Sequence, residues 1–267
     1  MNTYTPGIYD ISNEDYHGAN GLSRSALMLF KKSPMHYANV YEKERKVEST
    51  ITPAFILGNA VHTYILEPLQ FESRYLVAYK PDGRTKEGKE MMERINIEAC
   101  GRTILASNVF AEVEKMGNSF LNNEIACQFL KDAQIEKSIF WKDCHTNTLL
   151  KCRPDIWLPN MIGDVKTTVD ASPRAFQRDI AQYGYHIQAA MIQDGIYHIT
   201  GKRITEYVTL AIEKTAPYAI GIYILDQEAI DRGRQEYNEL MEQYNDYSER
   251  QVWPGYKPST ISLPAYY

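Results

Sequence analysis

The sequence has no run of about 18 consecutive apolar residues, so no membrane-spanning helix is expected. Its first residues, MNTYTPGIYDISNEDYHG, lack a basic stretch followed by an apolar one, so no secretory leader is expected either. Cysteine is scarce: Cys100, Cys127, Cys144 and Cys152 form no C-x-x-C pair. That spacing argues against a zinc site or a disulfide scaffold and favours reduced thiols in a cytoplasmic protein. No G-x-G-x-x-G and no P-loop is present, which removes the commonest nucleotide-binding signatures. Excess positive charge is also missing. The net charge of −5 argues mildly against a general nucleic-acid binder. Short basic runs do occur at Lys31-Lys32, Lys43 to Lys46 and Arg84 to Lys89.

What is present suits one large domain with a real core: 267 residues, 44% hydrophobic and 24% charged. There is no internal repeat, low-complexity tract or clear linker. The 20 tyrosines are expected mostly to pack with the hydroxyl wet, though tyrosine also stacks on bases and lines interfaces. Start signals divide the first half. The opening twenty residues read as turns, and Ser23 caps a helix to Lys32. Ser33-Pro34 starts another to about Glu44, and Thr52-Pro53 a third through AFILGNAVHTYILEP. Residues 79–89 read as a loop, and 90–120 as helix, broken near Ser107-Asn108. Strand signals follow at 134–141, 149–152, 155–158 and 161–167, with a turn at Pro159-Asn160. Helices over 173–182 and 185–198, strands over 204–212 and 218–224, a helix over 227–247 and an extended tail complete the reading. The class is α/β with a central mixed or mostly antiparallel sheet flanked by helices.

The stretch TLLKCRPDIWLPNMIGDVKTT carries Asp155, Asp164 and Lys166 in otherwise apolar strand sequence. Charged residues are rarely buried unpaired. Asp164 and Lys166, two apart on a strand, share a face. A hairpin returns Asp155 beside Asp164, and two neighbouring carboxylates repel unless a cation sits between them. Hard divalent cations such as Mg²⁺ prefer these donors, and the lysine suits a developing charge on phosphate. This is the chemistry of metal-assisted phosphodiester hydrolysis. A bare D-x-K is more often a plain ion pair, so the surroundings decide.

Those surroundings contain, in order, GIYDISNEDYH, GLSRSALMLFKKSP, LGNAVHTYILEP, GRTKEGKE, IEKSIFW, KCRPDIW, GDVKTT, YGYHIQAAMIQDG and a final WP…SLP. This set resembles the RecE (exonuclease VIII) nuclease family of the PD-(D/E)xK superfamily, in its RecB-like branch, from about residue 7 to 264. The resemblance implies a PD-(D/E)xK nuclease fold with an extra helical N-terminal region. As one domain it divides into that region at about 1–125, a nuclease core at about 126–225, and a C-terminal helix and tail at about 226–267. It implies His62, Glu136, Asp155 and Asp164 as metal ligands, Lys166 as the catalytic lysine, and Gln188 as the glutamine of a Q-x-x-x-Y motif. Ile192 stands where that motif has tyrosine, and Tyr185, one turn before Gln188 on the same helix, is the candidate substitute for its DNA contact. Ser23, Arg24 and Ser25 at a helix start suit a phosphate; Arg84, Lys86 and Lys89 suit a DNA backbone. The resemblance further implies Mg²⁺, with Mn²⁺ substituting, and 5′-to-3′ digestion of linear double-stranded DNA ends that leaves 3′ single-stranded tails. A ring-shaped homotetramer, a RecT-like single-strand annealing partner and a stand-alone enzyme of a phage or mobile-element recombination cassette are also implied. A related endonuclease, a DNA-binding module without catalysis, and an enzyme acting on small phosphorylated metabolites stay open.

Overall fold

The computed structural model describes residues 3–42 and 52–263. The basic run Lys43 to Lys46, the expected helix end near Glu44 and the proline of the final SLP lie outside the described residues. The chain begins with β1 (Gly7–Tyr9) and α1 (Asn13–Gly18), then α2 (Arg24–Lys32), α3 (Pro34–Tyr41) and α4 (Pro53–Leu66). Ser23, Ser33 and Thr52 cap as expected, accepting from the amides of Ala26, His36 and Phe55, whereas Ser172, also expected to cap a helix, makes no side-chain cap bond ahead of Pro173. A short helical turn and α5 (Phe71–Arg74) lead into β2 (Tyr75–Ala78), α6 (Lys86–Ala99), β3 (Thr103–Ala106), α7 (Ser107–Leu121) and α8 (Glu124–Gln128). β2 and β3 form a separate parallel pair.

Three expectations need correction here. Lys86 and Lys89 lie in the first turn of α6 rather than in a loop, because Thr85 accepts from the amide of Gly88 at 2.9 Å and starts the helix early. The helical stretch 90–120 breaks earlier than expected, through left-handed Cys100 (φ 47°) and then β3. The opening twenty residues, read as turns, contain β1 and α1, whose capping bond runs from Asp15 N–H to Ser12.

The remaining elements are β4 (Gln134–Ile135), β5 (Ser138–Lys142), β6 (Leu149–Cys152), β7 (Ile156–Trp157), β8 (Met161–Thr168), α9 (Pro173–Tyr183), α10 (Tyr185–Thr200), β9 (Glu206–Glu213), β10 (Ile220–Ile224) and α11 (Gln227–Arg250). Five strands form a mixed sheet in the order β10-β9-β8-β7-β4, in which only β8 and β9 are parallel. A second, antiparallel sheet has the order β1-β5-β6. The expected single strand at 134–141 is therefore two strands in two sheets.

Side chains alternate across β8, so it feeds two cores. Val165 joins Ala60, Val61, Val113 and Phe120 of α4 and α7 on one face. Ile162 joins Leu27, Ile187, Ile196 and Ile230 of α2, α10 and α11 on the other. Burial on both faces explains why the strand's apolar side chains do not alternate with polar ones, Ile162 and Val165 lying on opposite faces. It also makes Asp164, fully buried in that strand, conspicuous. Gly233 lets α11 cross α10 closely, since a Cβ there would lie 2.2 Å from the carbonyl oxygen of His186.

Candidate active site

The backbone brings the acids together before any side chain is considered. Ile135 pairs with Ile156 and Ile139 with Cys152, so β4–β5 and β6–β7 are the two legs of one long hairpin in constant register. That register sets Glu136 opposite Asp155, and the Glu136 amide donates to the Asp155 carbonyl at 3.1 Å. The ladder is interrupted here for two reasons. Pro154 has no N–H to give, and Glu136 is left-handed at φ 53°. The next pairing, Ile156 with Gly163, sets Asp155 opposite Asp164. Asp155 thus faces a carboxylate on each side.

His62 enters from α4, on the far face of the sheet from α10. Its Nε2 donates to the Val165 carbonyl at 2.7 Å and lies 3.4 Å from Asp155 Oδ2. With Nε2 committed, Nδ1 is the nitrogen left to ligate, and it lies 3.7 Å from Glu136 Oε1. One ligand atom from each of His62, Glu136 and Asp155 falls within 4.8 Å of the others. Asp155 Oδ2 accepts from the Val165 amide at 2.7 Å, and Glu136 Oε2 lies 2.6 Å from Arg153 Nε.

The electrostatics of this cluster call for a cation. Burial, opposed by His62 and reinforced by Asp164, pushes the Asp155 carboxyl up to about 7. Burial disfavours a charge on His62, yet the carboxylates of Asp155 and Glu136 outweigh it and raise the imidazolium to about 9. Burial would raise Glu136 as well, but His62 and Arg153 hold it below the usual carboxylate range. A protonated imidazole therefore supplies the positive charge the carboxylates demand. Two carboxylates and one imidazole nitrogen are a donor set that fits a divalent cation in that role.

Asp164 stands beside this cluster rather than in it. Its Oδ1 accepts from Gln188 Nε2 at 2.9 Å and its Oδ2 lies 2.7 Å from Lys166 Nζ, so the expected shared face is present. Gln188 is oriented in turn by Arg24, whose Nη2 donates to Oε1 at 3.1 Å. Lys166 Nζ lies 5.1 Å and the Arg24 guanidinium 5.6 Å from the centroid of the Tyr185 ring. Ile192 also lines the site but is buried in the core.

Glu136, Asp155, Lys166 and Gln188 border a cleft of about 280 Å³. Ser23, Arg24 and Ser25 line it. They are set there by Leu22, whose N–H donates to Leu149 and whose carbonyl accepts from Lys151. Arg84, Lys86 and Lys89 do not line it. They are exposed, with Arg84 paired to Asp82 and Lys86 at 4.0 Å from Glu90. The structure adds residues that sequence reasoning did not single out. Arg153 has a side chain only 6% exposed. Lys151 is buried, its ammonium donating to the carbonyls of Tyr16 and Ala19, and burial draws its pKa down to about 8. Both lay in the quoted KCRPDIW, where two cations flanking a cysteine just before the aspartate were the available signal. The buried Tyr207 hydroxyl beside Asp164 left no such signal.

A search of curated proteins finds no match. Among solved structures, a protein from Eubacterium rectale named "Putative exonuclease" aligns over 94% of this chain and 97% of its own, with 13% identity and a TM-score of 0.60. A second, SSO0001, aligns over 68% of this chain and 85% of its own at 14% identity, but its TM-score of 0.29 carries no argument. The first likeness is one of fold, and with the geometry above it identifies the PD-(D/E)xK fold. The family model described as "PDDEXK-like domain of unknown function (DUF3799)" matches residues 23–260, and the chain belongs to that family.

Proposed function

We propose that the chain is a Mg²⁺-dependent nuclease that digests linear double-stranded DNA 5′ to 3′ and leaves 3′ single-stranded tails. The observation that carries the hydrolytic part is the convergence of His62, Glu136 and Asp155 beside the Asp164–Lys166 pair at an open cleft. The exonuclease part is supported by the resemblance of the ordered motifs to the RecE family and by the name of the E. rectale neighbour. Asp155, Glu136 and His62 would hold the cation, which when bound polarises the scissile phosphate and acidifies the attacking water. Mn²⁺ suits the mixed oxygen and nitrogen donors equally. Lys166 reaches the cleft with 16% of its side chain exposed, placed to orient that water or offset charge on the phosphate oxygens. Gln188, fixed by Arg24, holds Asp164 so that its other oxygen stays on Lys166. Arg24, Lys151 and Arg153 line the cleft and supply positive groups there on a protein whose net charge is −5.

A RecE-like ring-shaped tetramer, a RecT-like annealing partner and a role in recombination by strand annealing belong to the same proposal and rest on the motifs alone. The test is a linear duplex with a 5′-phosphate and a distinguishable label on each 5′ end, beside closed circular DNA. Each is incubated with Mg²⁺, with EDTA and with Asp164→Ala. Loss of both 5′ labels as mononucleotides, abolished by EDTA and by the substitution, is expected. Cutting of closed circles would assign an endonuclease instead, and folded protein without Mg²⁺-dependent cleavage would refute the hydrolytic reading.

A further inference from the structure

A file of four aromatic rings passes beside Lys166. Tyr223 of β10 stacks on Phe176 of α9, with centroids 5.3 Å and planes 23° apart. Phe176 faces Tyr185 at 6.1 Å and 33°, and Tyr185 faces Tyr183 at 5.8 Å and 31°. Phe176, second in the file, is 1% exposed, and Tyr183 at its outer end is 47% exposed. The file therefore ends in a half-exposed ring.

Two features distinguish this ring from an ordinary surface tyrosine. It is one ring removed from Lys166, whose Nζ lies 5.1 Å from the centroid of Tyr185. It is also held rigidly to the site. Gly184 alone separates the two tyrosines, ending α9 with its N–H on the Ile180 carbonyl and starting α10 with its own carbonyl on the Gln188 amide. Its φ of 67° is the left-handed corner that fixes Tyr183 relative to Tyr185 and Gln188.

We propose that Tyr183 is a nucleobase platform: an unpaired base next to the scissile phosphate stacks on its exposed face while that phosphate lies against Lys166. This rests on the nuclease reading above and deepens it, adding a subsite for a base where the cleft itself offers charge. Aromatic faces suit this task because every base has a π-face, so the contact holds any sequence. A base splayed from the duplex end would extend the existing file by one ring.

The experiment uses the full chain and a linear duplex carrying 5-iododeoxyuridine at one of the last three positions of either strand, with Ca²⁺ in place of Mg²⁺. After irradiation, adducts are mapped by mass spectrometry. In parallel, KM and kcat for digestion are measured for wild type, Tyr183→Ala and Tyr183→Phe. An adduct on Tyr183 from an end position is expected, with KM raised about tenfold or more by alanine and restored by phenylalanine. Wild-type protein that digests the duplex but gives no Tyr183 adduct, with KM unchanged by alanine, overturns the platform and leaves the nuclease standing. Wild-type protein that neither binds nor digests the duplex overturns both.

Discussion

Replacing Arg153 by methionine isolates one charge at the centre of the site. The guanidinium lies 2.6 Å from Glu136 Oε2 with only 6% of its side chain exposed. It also sits 5.6 Å above the Tyr16 ring and donates to the Ser12 carbonyl at 3.2 Å. Methionine retains much of the apolar stem and removes the charge. Losing one partner of a buried ion pair costs about 3–5 kcal/mol, because the other charge is left unpaired. Glu136 keeps His62 at 3.7 Å, so the lower end, about 3 kcal/mol, applies. For a chain of this size the melting temperature falls by about 2–4 °C per kcal/mol, hence by about 6–12 °C. Glu136→Gln in the same background recovers part of that loss, since no carboxylate then remains uncompensated. Saturating Mg²⁺ also recovers part of it, by supplying the missing positive charge. Thermal and urea denaturation of the two single variants and the double, each with and without Mg²⁺, reads all of this. A drop below about 2 °C, or a double variant no more stable than Arg153→Met, would refute the view that this pair holds the break in the hairpin together.

Divalent-cation affinity should rise about tenfold per pH unit between 7 and 9. Over most of that range Asp155, at about 7, is largely ionised, while His62, at about 9, must still lose a proton to ligate. The rise steepens below pH 7, where Asp155 must lose one too; Mn²⁺ titrations across pH check it, and a flat profile would remove His62 from the ligand set. Gln188→Ala frees Asp164 and Arg24 from one another and should lower activity about 10- to 100-fold with little change in melting temperature; steady-state kinetics beside a thermal scan show whether the two separate. Gly184→Ala forces a Cβ into a left-handed corner and 2.8 Å from Met28 Sδ. It should cost about 1–2 kcal/mol for the backbone alone, read from urea unfolding, and lower activity by shifting Tyr185 and Gln188.

The parts of this molecule legible in the sequence are those written in local chemistry. Ser33-Pro34 and Thr52-Pro53 mark helix starts because a side-chain acceptor and a missing N–H act within one turn. The i, i+2 spacing of Asp164 and Lys166 gives a shared face because strand geometry leaves no other. The illegible parts depend on distant partners. TILA becomes β3 by pairing with YLVA, 28 positions earlier in the register, and nothing local opposes its reading as helix. β1 is three residues long and exists only because β5 lies alongside it. The bend at Glu136 carries no glycine or asparagine to announce its positive φ. His62 is intermediate: its helix was legible, but its approach to Asp155 from the opposite face of the sheet follows only from the packing of α4 against β8.

The interrupted hairpin has a consequence for how the protein opens. Its turn-side half, Phe140 with Lys151 and Trp141 with Leu150, zips as a short closed ladder. Its site-side half, Gln134 with Trp157 and Ile135 with Ile156, is only two pairs long and lies beyond the gap at Pro154. The gap at Pro154 should let the two halves open separately, with the edge strand β4 of the site-side half held only by its two pairs to β7. A cation held by Glu136 and Asp155 bridges the legs where the ladder cannot, so amide hydrogens of Ile135 and Ile156 gain protection on binding while those of Trp141 and Leu150 do not. Occupancy of the site thus becomes a clasp on the breathing of the sheet that carries it.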